Sequence, residues 1–157
     1  MMPGATMHHD RRGVVAIEAA IALALVVVPT VLTLFDLGGL LETRLRVDRA
    51  LQAGMFAAWA ISGASTSQIT GAAVAGAGNA NGSPTVSATA SFSYLCLAPT
   101  GTYASGSAAA AGTACPSGQV LGEWAAITTS AAVTLAFPLP GIASPMTLTA
   151  TGLTRVR

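Results

Sequence analysis

The chain has 157 residues, of which 52% are hydrophobic and 8% are charged, whereas about a quarter of the residues of an ordinary soluble protein are charged. The formal net charge is +1 and lysine is absent, so the chain lacks the basic surface needed to bind a nucleic-acid backbone. The length allows one modest domain, and we expect no nucleic-acid partner.

Residues 1–13 form a polar leader that ends in two adjacent arginines and a glycine. His8 and His9 are neighbours with no further ligand nearby, so we predict no metal site there. Arg11 and Arg12 directly precede a long apolar run, and the positive-inside rule predicts that basic residues in this position stay in the cytoplasm. We therefore expect a cytoplasmic leader, with the remainder of the chain sent across a membrane.

Residues 14–35 carry a single charge, the carboxylate of Glu18. As a helix they are about 33 Å long, which matches a hydrocarbon core of about 30 Å. A cleaved secretory signal is the alternative. The length of the run, the acid inside it and the lack of an Ala-x-Ala-like site before Asp36 argue against that alternative. We predict a transmembrane helix that is kinked at Pro29.

Residues 36–61 predict a continuation of the helix beyond the membrane. Apolar side chains recur here at spacings near three and four, which is typical of an amphipathic helix with one buried face. This predicted stripe consists of Leu37, Leu41, Leu45, Leu51, Met55 and Trp59. It needs a cover, either a sheet of the same chain or neighbouring helices, and Gly38-Gly39 indicates a flexible joint near its start.

Residues 62–84 are rich in alanine, glycine and serine. They predict a short helix that extends to about Ala77, capped by Thr66 or Ser67, and then a linker.

From residue 85 the hydrophobic period changes to two, which is typical of strands with one buried face. Strands are predicted at residues 85–94, 127–137 and 146–156, and the proline-rich residues 138–145 predict a turn between the last two. The expected fold class is α+β: a long N-terminal helix with a small antiparallel sheet, from residues 85–157, packed on its outer half.

Cys96 and Cys115 are the two cysteines of the chain, and in an exported segment a disulfide between them is the default expectation. It would stabilise the fold by roughly 3 kcal/mol on the loop-entropy model. The sequence predicts no enzymatic activity and no cofactor. Both histidines lie in the leader and Glu123 is the only acid after residue 61, so a nucleophile and a base cannot be assembled there.

The residues around the start of the span resemble a known processing site. Gly13, four apolar residues and then Glu18 resemble the site at which a prepilin peptidase cuts type IV prepilins after the glycine. The longer pattern adds the basic pair, the Ala-Ile-Glu-Ala sequence, Pro29 and the run Phe35-Asp36-Leu37-Gly38. From Arg11 to Ala60 it is similar to the TadE/TadG-like pseudopilins, or minor pilins, of the tight-adherence (Flp, type IVb) pilus system.

The resemblance implies a structural subunit of the bacterial inner membrane that is cut between Gly13 and Val14 and joins a pilus through its helix. The implied partners are prepilin peptidase, other pilins, the Tad inner-membrane assembly platform and the lipid bilayer. Glu18 of one copy would pair with the new amine of Val14 on the next copy and fix the axial register, because buried charges cost less when they are paired. A glycine at the cut exposes the backbone to the protease and breaks the helix.

Two alternatives remain open for this end of the chain. Gly13, Ala16, Ala20 and Ala24 also fit ordinary packing of small residues between helices in a bilayer. The second alternative is an uncleaved, single-pass membrane protein whose outer domain binds a partner in an envelope assembly complex, with Glu18 paired inside a helix bundle.

Overall fold

The computed structural model describes residues 11–79, 83–97, 108–109, 114–115, 118–137 and 142–156. In chain order these residues form helix α1 (Arg11–Ala60), helix α2 (Thr66–Gly76) and strands β1 (Val86–Leu97), β2 (Ala108–Ala109), β3 (Val120–Val133) and β4 (Met146–Arg155). The predicted α+β class is confirmed, with a long apolar helix at the N-terminal side and a small antiparallel sheet after it.

Helix α1 is continuous over 50 residues, which corresponds to about 75 Å. Pro29 lies inside it and has no N–H to donate to the carbonyl four residues earlier. The hydroxyl of Thr30 donates to the carbonyl oxygen of Val26 at 2.7 Å, one residue after the carbonyl of Leu25 that Pro29 leaves without its helical donor. Gly38 and Gly39 are helical as well. The kink at Pro29 and the flexibility at the two glycines stay predictions.

Helix α2 begins at Thr66, so its N-cap lies one residue before Thr66, the nearer of the two predicted caps. Gly63, with φ +71°, turns the chain after α1, and Ser65 is the N-cap. The Ser65 side chain accepts a hydrogen bond from the backbone N–H of Gln68, and the Gln68 side chain accepts one from the backbone N–H of Ser65 at 2.9 Å. The prediction of Thr66 or Ser67 as the cap was wrong, because only Ser65 has a glutamine three positions later to close the capping box.

The sheet has the strand order β2-β1-β3-β4, and all of its neighbouring strands are antiparallel. The predicted strand at 127–137 was wrong at both ends, since β3 covers Val120–Val133. It starts early because β1 extends to Leu97 and pairs with it as far as Val120. Beyond its end, the backbone N–H of Leu135 donates to Oγ of Ser144 and those of Ala136 and Phe137 donate to a carboxylate of α1, so these groups do not pair with a strand.

Two clusters of buried residues join the helices to one face of the sheet. The first contains Val47, Ala50, Ala77, Val86, Ala131 and Ala150, and the second contains Ala58, Ala64, Ile69, Ala125, Ile127 and Val156. Between them the fully buried hydroxyl of Thr129 on β3 donates to the carbonyl oxygen of Val47 on α1 at 3.1 Å. The outer part of α1 therefore contacts both α2 and the central strand.

Candidate functional site

The predicted processing motif lies in the first turns of α1. The helix begins at Arg11 and includes Arg12, Gly13 and Val14. The expectation that Gly13 breaks the helix at the cut was wrong. One glycine disfavours a helix by only about 1 kcal/mol. Gly13 lies in a helix that continues to Ala60, and this cost is small for a helix of that length. The Val14 side chain is 58% exposed.

Glu18 lies one turn after Val14, about 6 Å along the helix axis, and its side chain is exposed. Among the residues from Val14 onward whose side chains the structure describes, the ion pair found is Arg44 with Asp48 at 3.2 Å, and Glu18 pairs with none of them. The carboxylate thus faces outward from the helix, where a group from another chain can reach it.

The part of α1 around Glu18 has no cover from the rest of the described chain. Every side chain from residue 14 to residue 31 is exposed, and a stretch of α1 with mean hydropathy 2.5 has none of its residues buried. By length and composition α1 is able to span a membrane. An apolar helix that contacts no sheet or helix of its own chain is stable in lipid or against other helices.

The predicted leucine stripe of residues 36–61 is mostly exposed, so the expectation that the sheet of the same chain covers it was wrong for most of its members. Cover by neighbouring helices stays a prediction. Leu51 and Met55 pack against the core. The exposed members are Leu37, Leu41, Leu45 and Trp59, each more than half exposed. Phe56 is 66% exposed and its ring centroid lies 6.2 Å from that of Trp59.

We call this exposed set the outer leucine face, and it consists of Leu37, Leu41, Leu45, Phe56 and Trp59. At 100° per residue the five positions lie within an arc of about 100°. The face therefore forms a single apolar strip along the outer half of α1.

The buried face of α1 consists of small residues and lies on the other side of the helix. Its members include Val47, Ala50, Gly54, Ala57 and Ala58. A Cβ atom on Gly54 would lie 3.1 Å from the Cβ of Ala73 on α2 and 3.4 Å from the Cγ2 of Ile127 on β3. The three elements meet so closely at Gly54 that a larger side chain would push them apart. The recurrence of small residues every three or four positions was the signal that could have identified this face.

Arg46 is a buried residue that the sequence did not single out. Its side chain is 6% exposed, and its guanidinium donates to the carbonyl oxygens of Ala77, Gly78 and Pro84 and to Oδ1 of Asn79, at 3.0 to 3.4 Å. Ala77 is the C-cap of α2, where unpaired carbonyls and the helix dipole favour a cation. Arg46 therefore fixes the end of α2 and the start of β1 to the long helix.

Asp36 was expected only to mark the end of the apolar run. Its Oδ1 accepts a hydrogen bond from the backbone N–H of Ala136 at 3.1 Å, and its Oδ2 accepts one from the backbone N–H of Phe137 at 2.8 Å. This carboxylate therefore holds Ala136 and Phe137 against α1 at the point where the apolar run of residues 14–35 ends. The predicted turn at 138–145 is described only from residue 142 onward, and the rest of it lies outside the described residues.

The predicted disulfide between Cys96 and Cys115 is confirmed, with a Cα–Cα distance of 5.6 Å. Nearby, the hydroxyl of Tyr94 on β1 donates to Oε1 of Glu123 on β3 at 3.2 Å. The pKa of Tyr94 is raised because its hydroxyl is hydrogen-bonded to Glu123 and because the negative charge of that carboxylate opposes ionisation of the phenol. Both contacts lie at the end of the sheet that points away from the span.

The described part of the chain has no group of three or more His, Cys, Asp and Glu side chains that could hold a metal ion. His8 and His9 lie outside the described residues. A cavity of about 620 Å³ is lined by Glu42, Arg46 and Thr134 among others. The guanidinium of Arg46, which lines this cavity, is bound to the backbone carbonyls of Ala77, Gly78 and Pro84.

Comparisons of the chain with protein-family models, with curated proteins and with solved structures found no match.

Proposed function

We propose that the protein is a structural pseudopilin or minor pilin of a Tad/Flp-type pilus system. In this proposal residues 14–35 cross the bacterial inner membrane, the leader stays in the cytoplasm and the outer half of α1 with its sheet lies in the periplasm. A prepilin peptidase cuts after Gly13. The processed subunit then joins other pilins at the inner-membrane assembly platform and acts in pilus biogenesis, adherence or secretion.

The observation that carries the proposal is an exposed carboxylate on an apolar helix that the rest of the described chain leaves uncovered. A charged side chain costs roughly 2.5 to 3.5 kcal/mol at the middle of a bilayer, and less near its surface. Pairing with a cation removes much of that cost. Cleavage after Gly13 creates such a cation, the amine of Val14, at the same end of every subunit.

Pairing between neighbouring copies also gives the acid a structural role. The amine of Val14 lies four residues before Glu18 in the same chain, which is about 6 Å along the axis. If Glu18 of one copy binds the amine of the next copy, the two helices are offset by a defined distance. Repeating this contact yields a filament with one axial rise per subunit.

The outer leucine face supports the same role. It continues the apolar surface of α1 beyond the span, on the side away from the small residues that contact α2 and the sheet. A subunit that packs against neighbouring helices needs such a face along its whole length. In the proposed subunit the sheet stays on the opposite side of α1, so the helices are free to form the centre of the assembly.

The uncleaved, partner-binding alternative is supported by one observation, which is that α1 is helical from Arg11 through Gly13. An uncut helix that starts at the arginines would serve as a simple anchor. The intact mass of the protein purified from membranes distinguishes the two possibilities. A chain that starts at Val14 supports the pseudopilin, and a chain that starts at Met1 or Met2 supports the anchor.

Replacing the acid tests the assembly role directly. For Glu18→Ala we expect normal membrane insertion and loss of the variant from sheared pilus fractions. The matched control is Glu42→Ala, which removes an exposed acid from the same helix outside the span. Incorporation of Glu18→Ala at the wild-type level would contradict the proposal.

A further inference from the structure

The segment that follows β3 lies beside the point at which the apolar span of α1 ends. Asp36 is the first charged residue after Phe35, and its two carboxylate oxygens bind the N–H groups of Ala136 and Phe137. These two bonds fix the height of the segment along α1. The segment cannot move far from the membrane boundary while they are present.

The side chains at this height are apolar and exposed. Phe137 is 49% exposed and Ile142 is 42% exposed. The backbone N–H of Leu135 donates to Oγ of Ser144 at 3.1 Å, which places Ile142, two residues before Ser144, at the same end of the sheet as Phe137. The sequence from Thr134 to Pro145 contains no charged residue. Phe35 on α1, next to Asp36, is 76% exposed. Apolar groups from two distant parts of the sequence therefore lie at one end of the domain.

The dimensions of a bilayer indicate what covers these groups. The hydrocarbon core is about 30 Å thick and the headgroup regions bring the total to about 40–45 Å, so each headgroup layer is roughly 5–8 Å deep. The amides of Ala136 and Phe137 lie about 3 Å from the carboxylate of Asp36. A span that ends at Phe35 thus places them inside the headgroup layer, where aromatic side chains are enriched.

We propose that Phe137 and Ile142 form a second membrane contact and enter the headgroup layer of the bilayer that α1 crosses. The inference rests on the membrane-spanning part of the proposed function and not on cleavage or assembly. With the helix and this segment both in contact with the bilayer, the β-sheet is held in one orientation above the membrane surface. A polypeptide partner on the same side chains would be a different occupant, and the experiment below separates the two.

Ile61 provides a matched control for Ile142. Both isoleucines are 42% exposed. Ile61 follows α1 at its outer end, 25 residues after Asp36, which is roughly 37 Å farther from the membrane boundary. A probe confined to the headgroup layer therefore reaches Ile142 and not Ile61.

The test uses the full chain, one copy per nanodisc, with isotope-labelled isoleucine methyl groups and a lipid that carries a nitroxide near its headgroup. We expect the Ile142 methyl resonance to lose most of its intensity while the Ile61 resonance keeps its intensity. Equal loss at both residues, or no loss at Ile142, would overturn the proposal. Because single copies are measured, the result does not depend on pilus assembly.

Asp36→Ala tests how the segment is placed. Removal of the carboxylate frees the N–H groups of Ala136 and Phe137, so we expect the loss of Ile142 intensity to become smaller while Ile61 is unchanged. The methyl resonance of buried Ile127 reports whether the variant retains its fold. A folded variant in which Ile142 is broadened as in the wild type would show that Asp36 does not hold the segment at the membrane.

Discussion

The two halves of α1 have the same secondary structure but different surroundings. Residues 14–31 are exposed on every side, whereas the outer half has one face buried against α2 and the sheet. The outer half obtains part of its stability from its own chain. The inner half receives no packing from the described part of its own chain. This difference separates the part that folds a domain from the part that we propose to build an assembly.

The halves also differ in how they use large and small side chains. The outer half exposes Leu37, Leu41 and Leu45. It places the small residues Ala50 and Gly54 against α2 and the sheet. Close approach of helix and strand is possible because these residues are small. Hydrophobicity alone therefore did not determine which face of the outer half is buried.

Among the substitutions considered, replacing Arg46 should weaken the attachment of the outer half of α1 most strongly, because this residue fixes the outer half to α2 and to the start of β1. Hydrogen bonds to a charged group contribute about 1.5–3 kcal/mol each, and Arg46 makes several of them. We expect Arg46→Ala to lower the free energy of unfolding by roughly 3 to 4 kcal/mol. The measurement is urea unfolding in detergent micelles, followed by the fluorescence of buried Trp124.

The matched control is Arg49→Ala, one turn farther along α1, where the side chain is exposed. Its effect should stay within about 0.5 kcal/mol of the wild type. Equal effects of the two substitutions would mean that the carbonyl contacts of Arg46 do not hold the domain together.

The disulfide tests whether the domain is stabilised independently of the span. Cys96 and Cys115 are 19 positions apart, and a loop of that size corresponds to roughly 3 kcal/mol of stability. The double variant Cys96→Ser/Cys115→Ser should have a free energy of unfolding, measured in urea, that is lower by about 3 kcal/mol, while its α1 helix remains inserted in the membrane. Loss of insertion in the same variant would contradict the separation between the two halves.

The two faces of the outer half can be compared with one pair of substitutions. Leu51 packs against the core and Leu45 is 56% exposed. We expect Leu51→Ala to lower the free energy of unfolding by about 2 kcal/mol and Leu45→Ala by less than about 0.5 kcal/mol. If the outer leucine face is an assembly surface, Leu45→Ala reduces pilus incorporation despite its small effect on stability. A variant that is stable and fully incorporated would remove that face from the proposal.

The smallest expected effect is a change of folding stability with pH that comes from Tyr94 and Glu123, at the end of the sheet far from Asp36. The folded-state pKa of Tyr94 is raised above its ordinary value of 10.0, so the neutral phenol is favoured in the folded chain. Its bond to Glu123 therefore stabilises the fold below pH 10.0 and is lost as the pH rises through the higher folded-state value.

The matched variant for this effect is Tyr94→Phe. The stability difference between wild type and variant should be constant at neutral pH and should shrink above pH 10.0. A difference that persists unchanged in strong alkali would show that ionisation of Tyr94 does not weaken the sheet.

Local sequence patterns predicted most of the elements. The alternation around Val86, the run of apolar residues 14–35 and the pairing of Cys96 with Cys115 each indicated the structure that was found. The boundaries of β3 could not be predicted in the same way, because its ends depend on partners elsewhere in the chain. Leu97 pairs with Val120 at the start of β3. Beyond its end, the carboxylate of Asp36 accepts hydrogen bonds from the backbone N–H groups of Ala136 and Phe137.

The sequence by itself determined that one helix is able to cross a membrane and that a single acid lies within it, because length, apolarity and charge are local properties. Only the tertiary structure decided which face of the outer helix is buried and what Arg46 and Asp36 bind. Those outcomes depend on how closely the sheet approaches the helix, and on backbone groups that are adjacent in space but distant in the chain.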